Sequence, residues 1–143
     1  MKISLVFPRM KYKSGDPPLG MALIAANLRK NGFEVDLIDS TFHPTFEFIE
    51  KRLKNFDADF VCVYIDSMMF GDSTHVMNIA KKMKKTVLAG GPHATLEPHT
   101  LVDYADYVVS GEAEETIIDI LNGKFNGQKV IEAKRPDLEK LPM

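Results

Sequence analysis

A single cysteine, Cys62, in a chain of 143 residues excludes an internal disulfide and a cysteine-rich metal centre. It sits inside an apolar run and is read as a small buried hydrophobe. A surplus of positive charge is also missing. The formal net charge is −2, so no basic field advertises nucleic acid or an anionic membrane as a partner. No apolar stretch exceeds strand length, which excludes a spanning helix, and the opening Met1–Phe7 segment has neither the apolar core nor the cleavage site of a signal peptide. A cytoplasmic protein is the expectation. The four histidines, His43, His75, His93 and His99, are scattered without ligand spacing, which argues against zinc. His93, although it follows Gly-Gly-Pro, is read as a surface histidine. Neither Gly-x-Gly-x-x-Gly nor a P-loop follows the first apolar run, so the nucleotide fingerprints are absent. Asp66 stands where a receiver domain carries its phospho-accepting aspartate. Pro8-Arg9, however, replaces the acidic pair that chemistry needs, and no lysine ends the fifth strand. Arg9 to Asp16 is also unlike the Ser/Thr-rich phosphate loop of an FMN site.

What is present is a regular alternation. Apolar residues make up 45% and charged residues 27%, enough for one domain with a substantial core. Strands are expected at Ile3–Phe7, Glu34–Ile38, Asp59–Ile65, Thr86–Ala89 and Tyr107–Val109. Helices are expected at Leu19–Asn31, with Leu19, Ala22, Leu23, Ala26 and Leu28 inward, and at Thr45–Asn55. A third should be capped by Asp72 or Ser73, a short one should cover Leu96–Val102, and the last should run from Glu112 to Leu121. Short connections of this kind give right-handed crossovers and a parallel sheet. The fold expected is α/β, a flavodoxin-like (Rossmann-like) three-layer sandwich with five parallel strands in the order 2-1-3-4-5. Residues 1–123 form the domain. Residues 124–143 read as a polar, proline-containing linker with at most a short strand at Lys129–Ile131.

Ligands of such sheets bind beyond the carboxyl ends of the strands. Three loops there are unusual for mere connectors. Gly90-Gly91 either forms a tight turn or lets a bulky group approach the backbone. Gly111-Glu112-Ala113-Glu114-Glu115 puts acids where a helix dipole welcomes them, which argues against a phosphate there. Pro17-Pro18-Leu19-Gly20 stiffens the start of the first helix.

Taken in order, Pro17-Pro18-Leu19-Gly20-Met21-Ala22 with Gly32-Phe33-Glu34-Val35, then Ala89-Gly90-Gly91-Pro92-His93-Ala94-Thr95, then Val108–Thr116 with its Ser-Gly-Glu-Ala-Glu-Glu core, resemble the N-terminal cobalamin-binding domain of cobalamin-dependent radical SAM enzymes. That family includes methyltransferases and proteins similar to the anaerobic Mg-protoporphyrin monomethyl ester cyclase. The resemblance implies a corrin on the carboxyl edge of the sheet and a nucleotide tail in a slot beside the first strand. It implies contacts at Gly90 and Gly91 in the slot, at Tyr64, Asp66 and Ser67 after the third strand, at Pro17, Leu19 and Gly20 beside the lower corrin face, and at Gly111 and Glu112 at the ring edge. In other cobalamin domains an Asp-x-His-x-x-Gly histidine holds cobalt. Aligned on Gly20, that histidine is replaced by Pro17, which implies base-off cobalamin without a protein histidine ligand.

The resemblance further implies a 4Fe-4S cluster and S-adenosylmethionine in a radical SAM domain. Cys62 alone cannot supply such a cluster. The chain is therefore expected to be a fragment cut at the linker, not catalytic alone, whose parent is a radical SAM oxidoreductase or methyltransferase. The alternative is a degenerate module that binds no corrinoid and serves as an interaction or substrate-gating domain. Bulky Tyr64 and Met68-Met69-Phe70 would then fill the slot.

Overall fold

The computed structural model describes residues 1–11 and 16–142, so Tyr12–Gly15 of the loop after the first strand lie outside the described residues. The chain runs β1 (Lys2–Phe7), α1 (Leu19–Lys30), β2 (Glu34–Asp39), α2 (Phe46–Phe56), β3 (Phe60–Tyr64), a 3-10 turn (Ser67–Met69) and α3 (Phe70–Lys82). It continues with β4 (Thr86–Gly90), α4 (Pro92–Leu96), a second 3-10 turn (Pro98–Leu101), β5 (Tyr107–Ser110), α5 (Thr116–Leu121) and β6 (Val130–Glu132). All strand pairs are parallel and their order is β2-β1-β3-β4-β5-β6. The sheet is thus the expected one with a sixth strand added at the β5 edge.

Side chains alternate across each strand, so the sheet feeds two cores. Val6, Val63 and Ala89 meet Ile49 and Leu53 of α2 and Val76, Met77 and Ala80 of α3. Leu5, Phe7, Cys62 and Leu88 face the other way, toward Met21, Ala25 and Leu28 of α1 and Ile117 and Ile120 of α5. Helices therefore cover both faces, as the nearly continuous apolar run of β3 anticipates. Helix ends follow local chemistry. Thr45 caps α2 by accepting the Phe48 N–H at 3.1 Å. Gly32, at φ +87°, turns the chain after α1.

Several elements differ from expectation. Of the expected inward stripe of α1, Leu28 is buried, but Leu19 is 72% exposed, Ala22 is exposed, and Met21 and Ala25 are buried in their place. Nearly every residue from Leu19 to Leu28 is apolar, so periodicity leaves its inward face undetermined. Asp72 and Ser73 lie inside α3, and Asp66 caps the preceding 3-10 turn through the Met69 N–H at 2.9 Å. Ser73 instead donates to the Tyr64 carbonyl at 2.9 Å, tying α3 to the end of β3. The short helix starts earlier, at Pro92, and α5 starts later, at Thr116, because Gly111 at φ +100° opens a turn first. Past residue 123, Ile131 is buried within the sheet and Leu141 is buried as well.

Candidate functional site

The late start of α5 leaves a gap between α1, α5 and the carboxyl ends of β1, β3, β4 and β5. A cleft of about 360 Å³ opens there, within the roughly 300–1,000 Å³ typical of small-molecule sites. Its floor is a row of adjacent strand residues, Leu5, Cys62 and Leu88, in register with one another. The next row toward the rim holds Phe7, Tyr64 and Gly90. The Phe7 and Tyr64 rings pack tilted at 4.6 Å. The third member of that row has no side chain, and a Cβ built on Gly90 meets nothing within 4 Å. The missing side chain adds to the space left by the late start of α5.

The neighbouring glycine has a different reason. Gly91 adopts φ +117°, and a Cβ there would lie 2.7 Å from the Ile65 carbonyl oxygen. Gly91 is thus required for the turn and for close packing of the chain on itself. Gly90 is free of both demands.

Eight of the ten residues expected at the site line the cleft. Tyr64, Gly90 and Gly91 come from the strand ends, and Gly111 and Glu112 from the turn before α5. Pro17, Leu19 and Gly20 border it from the start of α1. Asp66 and Ser67 are not among the lining residues. Asp66 is engaged as the 3-10 cap, and Ser67 bonds to His93 on the segment that follows Gly91. His93, expected as a surface residue, is partly buried and bonded through both ring nitrogens. Met68 is exposed, Met69 is buried in the α1/α5-side core, and Phe70 packs on His93 and Tyr104. None of these three residues lines the cleft.

Sequence reasoning missed the ties that hold the rim. The Thr95 hydroxyl donates to the Gly91 carbonyl at 3.0 Å and accepts the Gly111 N–H at 2.9 Å. Ser110 donates to the Thr95 carbonyl at 3.2 Å. The Gly-Gly-Pro-His-Ala-Thr and Ser-Gly-Glu segments are thereby one hydrogen-bonded unit. Buried Asn27 of α1 donates to the Glu114 carbonyl at 2.6 Å, fixing the opposite wall. Asn27 was legible only as the single amide in an apolar helix. Glu114 also lines the cleft, and its Oε2 is buried with no hydrogen-bond partner among the described residues.

The electrostatics are quiet. Burial, and secondarily the Asp66 charge, raises the Tyr64 phenol above its ordinary range, so it is a neutral donor at neutral pH. Burial pushes the Cys62 thiol up to about 12, which leaves it protonated and unreactive. Arg9 borders the cleft with its guanidinium 4.6 Å from the Phe7 ring and donates to the Asp16 carbonyl at 3.0 Å. No histidine is among the described lining residues. No group of three or more His, Cys, Asp or Glu residues among the described ones is placed to hold a metal ion, and no described helix is long and apolar enough to cross a membrane.

The cleft is thus a largely apolar slot at the switch point, with one strand glycine in its wall. The family model described as B12 binding domain matches residues 10–121. The chain belongs to the B12-binding domain family. Over 143 aligned positions it is 33% identical to an uncharacterised methyltransferase, PH0819, of Pyrococcus horikoshii, covering 91% of this chain and 31% of that protein. The chain thus spans about a third of the length of that curated relative. Among solved structures, the fold matches the cobalamin-dependent S-adenosylmethionine radical enzyme OxsB with aqua-cobalamin and S-adenosylmethionine bound. The TM-score is 0.78 at 16% identity, covering 90% of this chain and 19% of that one. It also matches the radical S-adenosylmethionine methyltransferase TsrM of Kitasatospora setae with cobalamin and a 4Fe-4S cluster bound. There the TM-score is 0.69 at 22% identity, covering 90% of this chain and 27% of that one.

Proposed function

We propose that this chain is a cobalamin-binding module that holds the cofactor base-off, without a protein histidine on cobalt, and works alongside a radical SAM domain. The observation that carries the reading is the cleft at Gly90. It is a slot on the carboxyl edge, with an apolar floor, whose depth depends on a glycine that the backbone itself does not require.

The residues present fit the group. Leu5, Cys62 and Leu88 offer an apolar bed for a flat aromatic base, and Gly90 leaves room for it to approach the backbone. Tyr64 supplies one neutral phenol at the wall, and Glu112 sits at the rim. Pro17 and Leu19 form a rim that offers no side-chain donor atom to cobalt, which supports the unligated lower face. Bound cobalamin would supply a cobalt centre able to carry a methyl group or to act as a redox participant. The protein's part is to hold the tail, shield it from water and present the ring edge. The 4Fe-4S cluster and S-adenosylmethionine belong, on this reading, to a partner domain outside these residues, in a cytoplasmic radical SAM methyltransferase or oxidoreductase. Residues 124–143 would connect to that domain, with β6 anchoring the connection to the sheet. The degenerate reading loses its particular support, because Met68, Met69 and Phe70 do not fill the slot and Tyr64 leaves it open.

The test is retention of hydroxocobalamin through desalting, followed by reduction to the cobalt(II) form and electron paramagnetic resonance. A retained chromophore whose spectrum lacks nitrogen superhyperfine splitting is expected. A colourless protein contradicts cobalamin binding, and splitting from an axial nitrogen contradicts the base-off state.

A further inference from the structure

The loops after β3 and β4 carry a hydrogen-bond chain that the cleft does not use. The His93 Nδ1 lies 3.0 Å from the Ser67 hydroxyl, and its Nε2 lies 2.8 Å from the Thr100 hydroxyl. Thr100 in turn donates to the Glu97 carbonyl at 2.7 Å. A hydroxyl has one proton, so while Thr100 donates to Glu97 it can only accept from His93. Nε2 therefore carries the hydrogen of the neutral ring and Nδ1 is left as an acceptor. Ser67 must then donate its proton inward, to Nδ1. Ser67 is exposed, and its oxygen then has only lone pairs left to offer.

The placement of His93 is over-determined. Gly91, by lacking a Cβ, lets the chain close on the Ile65 carbonyl, which also accepts the His93 N–H at 3.1 Å. The Phe70 ring packs against the imidazole with centroids 5.1 Å apart, and Phe70 is itself steadied by Tyr104. On the other side Asp66 caps the 3-10 turn that carries Ser67. Two independent devices thus bring one exposed serine and one partly buried histidine together at the carboxyl edge. They lie on the segments that leave the cleft residues Tyr64 and Gly91.

We propose that His93 is a positioning residue that holds the Ser67 hydroxyl as a hydrogen-bond acceptor for a ligand N–H at the rim. Resting on the cobalamin reading above, the donor is a primary amide of the corrin periphery. His93 acts through Ser67 and does not touch the ligand.

Two measurements on the 143-residue chain test this. The first needs no cofactor. Recorded at a pH where the ring is neutral, nitrogen-15 shifts of His93 should place the hydrogen on Nε2 and leave Nδ1 bare, and a neutral ring with hydrogen on Nδ1 overturns the proposal. The second is hydroxocobalamin affinity. Ser67→Ala and His93→Phe should each weaken binding by roughly tenfold, about one lost hydrogen bond. The double variant should be no worse than either single one. His93→Asn, whose amide oxygen can take the place of Nδ1 as acceptor, should restore most of the affinity, and thermal melting confirms that each variant is folded. Binding by His93→Phe equal to wild type, or additive losses in the double variant, overturns the role of His93 while leaving the cobalamin reading intact. A wild type that retains no hydroxocobalamin overturns that reading, and the amide donor with it, whatever the tautomer.

Discussion

The two faces of the sheet are built from the same strands and yet end differently at the carboxyl edge. On the α2/α3 face, a 3-10 turn leads into α3 directly after β3. Val63, Ile49, Val76 and Met77 close over one another with no side chain missing. On the α1/α5 face, five residues separate β5 from α5, α5 is only six residues long, and the strand row beneath it lacks a side chain at Gly90. One face is a core and the other is a core with a slot cut into its rim. The slot needs no special motif. A delayed helix and one strand glycine are sufficient, because the alternation of strand side chains guarantees that removing one leaves a hole on one face only.

Substitutions can break that comparison from either side. The largest effect is expected on the closed face. Ile49 is fully buried there, so Ile49→Ala leaves a cavity and should cost about 2–5 kcal/mol in urea denaturation. If the loss were below about 1 kcal/mol, the claim that this face is fully packed would fall. Next comes the edge itself. Gly91→Ala forces a Cβ to within 2.7 Å of the Ile65 carbonyl at a left-handed φ. It should destabilise by about 2–3 kcal/mol, with or without cofactor in the buffer. An unchanged melting curve would mean that Gly91 is as dispensable to the fold as Gly90.

Much of this was legible in the sequence, for identifiable reasons. Four of the five expected strands stand out as short, mostly apolar runs bounded by Gly, Pro or charge, and Glu34–Ile38 stands out by its Glu-Val-Asp-Leu alternation. The parallel sheet follows from their alternation with helices. Pro17, Gly90, Gly111 and Glu112 fall at the cleft because the fold rule sends every functional loop to one edge. Three things were not legible. The start of α5 was hidden because Glu112–Glu115 resemble a first helical turn, and only the φ of Gly111 shows that the chain turns first. The inward face of α1 was hidden because apolar residues occur all round it. The difference between Gly90 and Gly91 was hidden because two adjacent glycines read alike until their surroundings are known. Contacts at Asp66 and Ser67 were implied by the resemblance, but their bonds to Met69 and His93 arise from local turn geometry that spacing does not reveal.

The smallest expected change in stability carries the most information. Gly90 has an ordinary strand φ and nothing near its absent Cβ, so Gly90→Val should leave stability within about 1 kcal/mol of wild type or raise it slightly. The same methyl groups would occupy the slot. Calorimetric titration of wild type and Gly90→Val with hydroxocobalamin is therefore the most direct test. The account predicts binding by the wild type and its loss in a variant that is at least as stable. Equal binding by both proteins would contradict it, because the ligand would then lie somewhere other than the cleft over Gly90.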